Sequence, residues 1–168
     1  NAAMAVAAVE AFFGRQLDDD VVSEAFARLE LPARFEVMQR QPLVIVDGAH
    51  NPPAAAVAAE TLFDDFSNEQ APVLVMGTNR PHDPVEFVDA LRGTEFSVII
   101  ATAADWPRAI AAETLGVALK NCGPRIETVP RVADALDRAI ELAGESGTVL
   151  VTGSLYVASE ARSQLRST

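Results

Sequence analysis

Apolar residues recur every three to four positions in the two opening segments. In NAAMAVAAVEAFFGRQ they fall at Met4, Val6, Val9, Phe12 and Phe13, which predicts a helix with a wide apolar face, ended near Gly14. In LDDDVVSEAFARLELP they fall at Val21, Val22, Ala25, Phe26 and Leu29, a second short helix stopped near Pro32. Two helices cannot bury such faces alone and need a further layer, in the following domain or in a missing partner. The pattern then changes. ARFEV alternates through Phe35 and Val37, whereas Val44, Ile45 and Val46 form a continuous run, the mark of a strand covered on both sides. PPAAAVAAETLFDDF returns to helical spacing, with Val57, Ala58, Thr61, Leu62 and Phe66 near one face. Strand and helix patterns alternate from there: APVLVMG, DPVEFVDAL (Asp83 as cap, Pro84 at the first position), EFSVIIAT, WPRAIAAETLGVAL, RIETV, RVADALDRAIELA, GTVLVTG and SLYVASEARSQL.

This order predicts a three-layer α/β fold, with a mostly parallel sheet of about six strands and helices on both faces. ARFEV would be an extra, antiparallel edge strand. Residues 1–30 form a helical segment and 31–168 the α/β domain. A hydrophobic content of 49% supplies the core and argues against disorder. A net charge of -11 argues against a general nucleic-acid binder and against an anionic membrane surface. It leaves an ATP site open, because such sites use local donors and Mg²⁺. Cys122 is the single cysteine, so an intrachain disulfide or a cysteine zinc cluster is excluded and a cytoplasmic setting is expected. No stretch has the length of a membrane span or the pattern of a signal peptide. The chain opens inside a helical pattern without methionine. It is expected to be a fragment lacking its amino-terminal portion, with Asn1 and Ala2 as tag remnants the alternative.

Ligands of open α/β sheets sit beyond the carboxyl ends of the strands. Three glycine-bearing turns fall there: Asp47, Gly48, His50 and Asn51; Gly77, Thr78, Asn79 and Arg80; and Thr152, Gly153 and Ser154. Thr102 ends a further strand. Asp47 can meet a ribose hydroxyl, help hold a metal, or bond the local main chain. His50 can stack, donate to phosphate or orient a reactant, or be a turn histidine. Asn51 reads as the cap of the Pro52 helix, whose start can face an anion. Arg34 can reach phosphate with its fork of donors or form a surface ion pair. Ser154 can cap the last helix, contact ligand, or do both. Trp106 and Tyr156 read as isolated packing or surface aromatics. Neither a GxxxxGK[ST] nor a GxGxxG motif is present, and His50 and His82 have no third zinc ligand, so no metal is assigned to this chain.

Taken together, LPARFEV, LVIVDGAHNP and VLVTGSLYVASEAR resemble the carboxy-terminal domain of folylpolyglutamate synthase and of the bifunctional dihydrofolate synthase, a branch of the Mur ligase superfamily. The opening NAAMAVAAVEAF resembles the end of that family's central ATPase domain. The resemblance implies a Rossmann-like domain of an ATP-dependent amide ligase. A folate or dihydropteroate carboxylate attacks the γ-phosphate, and L-glutamate then attacks the acyl phosphate. Closing domains keep water from that anhydride. ATP and Mg²⁺ would be held mainly by the P-loop domain of the same polypeptide, with its lysine, and this fragment would be inactive alone.

The same resemblance assigns roles. Arg34 lies near the nucleotide phosphates, Asp47 beside the ribose and domain interface, and Asn51 at the nucleotide-facing turn. Asp47 and His50 belong to the catalytic cleft, and His50 and Ser154 to the substrate side. Two positions depart from the family pattern. Ala33 stands where glycine is usual, which asks alanine to adopt that backbone angle. Pro81, His82 and Asp83 stand where DKD is frequent, so the lysine's substrate contact is expected to be lost, moved to Arg80 or taken by His82. A monomer is the expected state. The competing readings are a stand-alone nucleotide-responsive regulatory domain and another Mur-type amide ligase.

Overall fold

The structure, a computed structural model, describes residues 2–29, 31–66 and 70–167. The chain separates into two compact units, residues 1–32 and 33–168. The boundary expected at residue 30, and Asn1 as a tag remnant, lie outside the described residues. Unit one holds helix α1 (Ala2–Phe13) and helix α2 (Asp19–Ala27), and neither has a buried residue. Met4, Phe12, Phe13 and Val21 are all more than half exposed.

Unit two contains strands β1 (Glu36–Arg40), β2 (Leu43–Val46), β3 (Val73–Met76), β4 (Val98–Ala103), β5 (Arg125–Arg131) and β6 (Thr148–Thr152). Its helices are α3 (Pro52–Glu60), α4 (Pro84–Ala90), α5 (Ala112–Ala118), α6 (Val132–Ala143) and α7 (Leu155–Ser167). The strands lie in the order β1-β2-β6-β3-β4-β5, all parallel except the expected antiparallel β1 at the edge. Alternate residues of each strand face opposite ways. Val44, Val46, Val75, Ile100, Val149 and Val151 meet α6 and α7, while Ile45, Leu74, Met76, Ile99 and Leu150 meet α3, α4 and α5. This is the predicted three-layer fold. Among the described residues, no helix is long and apolar enough to cross a membrane.

Three local expectations are corrected. Val57 is 62% exposed; the buried stripe of α3 is Ala55, Ala58 and Ala59, continued by Leu62 in a π-helical turn, Thr61–Asp65. Phe35 precedes the edge strand with φ +46° and packs on Phe66, ring centroids 5.5 Å apart. The helix read from Trp106 begins only at Ala112. Residues 108–110 instead pair with the turn after β3: Arg80 N donates to Arg108 O at 3.0 Å, Ile110 N donates to Thr78 O at 2.9 Å, and Asn79 bridges Ala109. Strand β5 runs past the predicted RIETV to Arg131 and tolerates Pro130 because it lies at the sheet edge.

Candidate functional site at the crossover of the sheet

Strand β6 lies between β2 and β3, and its helix α7 covers the face opposite to α3 and α4. The chain therefore leaves adjacent strands in opposite directions, which opens a crevice at their carboxyl ends. The turns after β2, β3 and β6 meet there through main-chain bonds. Gly153 N donates to Ala49 O at 3.0 Å, and Gly77 N donates to Thr152 O at 3.4 Å. Glycine is required where these turns touch. A Cβ on Gly153, which has φ +97°, would lie 2.7 Å from Gly77 O. A Cβ on Gly48 would strike Leu155 and sit 2.8 Å from Arg34 Nη1.

Because β1 is antiparallel, the residues before it reach the same edge as the ends of the parallel strands. Arg34 is displayed there by a turn in which both neighbours have left-handed backbone, Ala33 at φ +52° and Phe35 at φ +46°. A carboxylate anchors each neighbour. Ala33 N donates to Glu36 Oε2 and Phe35 N donates to Asp47 Oδ2, both at 2.8 Å. Left-handed backbone costs a residue with a Cβ about 1–2 kcal/mol. Burial of the Ala33 methyl offsets about 0.8 kcal/mol of that. Arg34 itself is exposed and forms no ion pair among the described residues; its Nη1 donates only to Ala33 O at 3.2 Å. The surface ion pair considered for it is not what forms.

Asp47 is fully engaged by main chain: its other oxygen, Oδ1, accepts from Ala49 N at 2.8 Å. Its visible work is to fasten the Arg34 turn to the end of β2. His50 is half-buried, with Nδ1 3.0 Å from Gly48 O. A carbonyl only accepts, so Nδ1 donates to it, and Nε2 is left to face the crevice. The His82 ring lies 6.0 Å from that of His50, centroid to centroid, so histidines from two turns share the crevice. Asn51 caps α3 as expected, Oδ1 accepting from Ala54 N at 3.0 Å.

Ser154 is 1% exposed. Its Oγ accepts from Tyr156 N and from Asn79 Nδ2, each at 3.1 Å, so it caps α7 and clamps the β3 turn to it. Thr102 is buried, its hydroxyl donating to Pro130 O at 3.2 Å. Arg80 and His82 are exposed. Sequence reasoning missed four features. Arg108 is tied to Arg80, its Nη2 donating to Arg80 O at 3.0 Å. Trp106 and Tyr156 are not isolated: their rings stack with centroids 4.1 Å apart. The buried Thr78 Oγ1 has no protein partner among the described residues. Glu36 binds Arg162 of α7 at 2.8 and 3.1 Å. Pro107 was the available signal against a helix at Trp106; the other three features depend on distant contacts.

The Arg162 hydrogen bonds hold the Glu36 carboxyl below the ordinary carboxylate range; partial burial opposes them, and the Ala33 amide adds to them. A depressed folded value stabilises the fold above the unfolded pKa of about 4.3, and the contribution is lost as pH falls through the folded value. The melting-temperature gap between wild type and Glu36→Gln is therefore expected to be full at pH 6 and to shrink below about pH 4. A gap that widens on acidification refutes this. The comparison matters because Glu127 is lowered in the same way by Arg138 and contributes its own acid dependence.

No group of three or more His, Cys, Asp or Glu able to hold a metal occurs among the described residues. The chemistry offered by the edge is instead that of donors and an imidazole: a guanidinium without an ion pair among the described residues, the His50 ring, and turns close enough to admit main-chain contact. Known proteins show the same arrangement of chain. Residues 33–155 match the model for the Mur ligase, glutamate ligase domain. The chain is 40% identical over 167 residues to a probable bifunctional folylpolyglutamate synthase/dihydropteroate synthase of Haloferax volcanii, covering 96% of this chain and 19% of that relative. It is similar to the Mycobacterium tuberculosis folylpolyglutamate synthase solved with ADP and AMPPCP, with a TM-score of 0.87, 35% identity, and coverage of 96% of this chain and 38% of that one. It is also similar to E. coli FolC in complex with DHPP and ADP, with a TM-score of 0.85, 28% identity, and coverage of 99% and 38%. The chain thus spans well under half of each of these relatives. The family match runs from the Arg34 turn to the start of α7 and takes in all three turns of the crevice; the chain belongs to the Mur ligase family, as its glutamate ligase domain.

Proposed function

We propose that this chain is the carboxy-terminal part of a cytoplasmic, ATP-dependent amide ligase that adds L-glutamate to a folate or to dihydropteroate. One observation carries the reading: Arg34, which forms no ion pair among the described residues, and His50 stand at the edge where three glycine turns converge. Unit one would be the end of the preceding ATPase domain, or a linker to it, and the wide apolar face of its helical pattern is in keeping with that. Relatives whose names include folylpolyglutamate synthase, and structures solved with ADP, support both the ligase class and the nucleotide.

ATP supplies the phosphoryl group that turns a carboxylate, a poor electrophile, into an acyl phosphate with a good leaving group. The residues here bind and orient. Arg34 would meet a phosphate with its free guanidinium donors. Asp47 would act as a positioning residue, because its carboxylate fixes the turn that carries Arg34. His50 would face the substrate through Nε2, and Arg80 or His82 would meet a carboxylate. Ser154 would serve by clamping the β3 turn, since its burial limits direct ligand contact. Mg²⁺ would be held by the P-loop domain, in keeping with the donor set present here.

The test uses the longer polypeptide that contains this chain. It is expected to release ADP only when glutamate and a folate or dihydropteroate are both present, and the 168-residue chain alone is expected to release none. Arg34→Ala in the longer protein is expected to lower kcat/KM by about 100-fold, the scale of one lost charge-stabilising donor. A longer protein that ligates glutamate to neither acceptor defeats the proposal.

A further inference from the structure

We propose that Asn79 is a positioning residue: it clamps the turn after β3 to the start of α7 and thereby presents His82, not Arg80, beside His50 in the crevice. That His82 meets a substrate carboxylate there rests on the ligase reading; that Asn79 sets where His82 stands rests on the contacts of the turn. Residues 79–83 cross the edge between Thr78, buried just past the end of β3, and Pro84, which opens α4. Of these, Arg80, Pro81, His82 and Asp83 are exposed, and only Asn79 is half-buried. The segment therefore has no apolar anchor of its own, and its course follows from hydrogen bonds.

Asn79 gathers those bonds. Its Nδ2 donates to Ser154 Oγ at 3.1 Å, its main-chain O accepts from His82 N at 3.1 Å, and its main chain bridges Ala109. Ser154 is a firm partner. It is 1% exposed, its Oγ also accepts from Tyr156 N, and the helix it caps is packed into the core through Val157, Ala158 and Ala161. The clamp thus joins the turn to a rigid element and not to another loop. The two candidates for the carboxylate contact are then divided. Both main-chain groups of Arg80 are taken by Arg108, N donating to Arg108 O and O accepting from Arg108 Nη2, each at 3.0 Å. That commits the Arg80 main chain to the 108–110 segment. His82 is one bond from Asn79, and its ring stands 6.0 Å from the His50 ring, edge on, with 62° between the planes. His50 is itself held, by Nδ1 on Gly48 O at 3.0 Å. With one ring held, the separation of the pair reports the position of the turn that carries the other.

The chain has two histidines, so a ring-to-ring signal is simple to assign in the 168-residue protein. A nuclear Overhauser effect between the His50 and His82 rings is expected in the wild type. It is expected to be lost in Asn79→Leu, with the amide spectrum of the sheet unchanged, and restored in Asn79→Asp, whose carboxylate can accept from the Ser154 hydroxyl. Asn79→Ala reads the same loss should the leucine variant unfold. In the longer protein, Asn79→Leu is expected to raise KM for one substrate about tenfold with kcat changed by less than about twofold, the scale of one lost hydrogen bond to a charged group. That loss is expected to be non-additive with His82→Gln and additive with Arg80→Gln. A ring signal that survives Asn79→Leu, an Asn79→Asp variant that fails to restore it, or coupling to Arg80→Gln in place of His82→Gln would each overturn the proposal. An inactive longer protein would instead count against the ligase reading and leave the ring signal to decide the role of Asn79.

Discussion

Gly153→Ala is expected to destabilise unit two by about 3–5 kcal/mol, from about 1–3 kcal/mol of backbone strain and a comparable overpacking term. Gly153 has φ +97°, outside the range L residues favour, and the new methyl would lie 2.7 Å from Gly77 O and 3.3 Å from its carbonyl carbon. The neighbour cannot swing aside, because it is backbone. Gly77 is itself pinned, since a Cβ there would lie 2.5 Å from Thr102 O. Relief would require moving β3 and β6 apart at the point where Gly77 N bonds Thr152 O. A stability of about 5–15 kcal/mol is usual for a domain, so the loss is a large share of the total. A drop in melting temperature of roughly 10–20 °C follows for a unit of this size. Circular dichroism melts of the variant check this, and a fall smaller than about 3 °C would show that the turns do not bear on each other as described.

Asp47→Ala is expected to cost about 2–4 kcal/mol, because it orphans two part-buried amide donors, Phe35 N and Ala49 N. Asp47→Asn should cost roughly half as much, about 1–2 kcal/mol, since one oxygen still accepts while the new NH₂ faces a donor. Urea unfolding gives the totals, and amide exchange gives the location. Protection should be lost at both Phe35 and Ala49 in the alanine variant and at one of them in the asparagine variant. Equal costs for the two variants would mean that the carboxylate acts through charge and not through these two bonds. The stability effect also bears on function. Loss of activity in an Asp47 variant would report a displaced Arg34 turn as readily as a lost contact to substrate, so Arg34→Ala and Asp47→Ala are expected to be less than additive in a double-mutant cycle.

The layers of this fold were legible because local pattern and global burial agree. Val44–Val46 reads as a two-sided strand and is one, and Asn51 and Asp83 cap the helices their positions announce. What failed locally failed for contact reasons. Trp106–Ala111 has helical composition, but its main chain pairs with the turn after β3, a partner that periodicity cannot see. Val57 has the spacing of a buried residue, but alanines fill the narrow interface of α3 instead. At the site, the residue types were visible and their engagements were not. The sequence leaves Asp47 open between ligand contact and local main-chain bonding, and Ser154 open to capping, ligand contact or both; in the fold the first holds two amides and the second caps α7 and bonds Asn79. Arg34 keeps free donors and His50 leaves Nε2 to the crevice, which no sequence pattern distinguishes from pairing.

The placement of β6 has a consequence for how the molecule is made. The last strand of this sheet to be synthesised is the one that joins β2 to β3, with Val44 paired to Val149 on one side and Val73 to Val149 on the other. Until it arrives, β1-β2 and β3-β4-β5 are two separate sheets, each with an open, fully apolar edge of Val, Ile, Leu or Met. Such edges are templates for pairing with other chains. During translation the nascent chain carries both at once, so its exposure to aggregation ends only when β6 leaves the ribosome and fills the gap. The same strand order makes β6 and α7 a separable insert: a peptide covering them should complement a chain cut after Gly147, closing the sheet and assembling the crevice in one step.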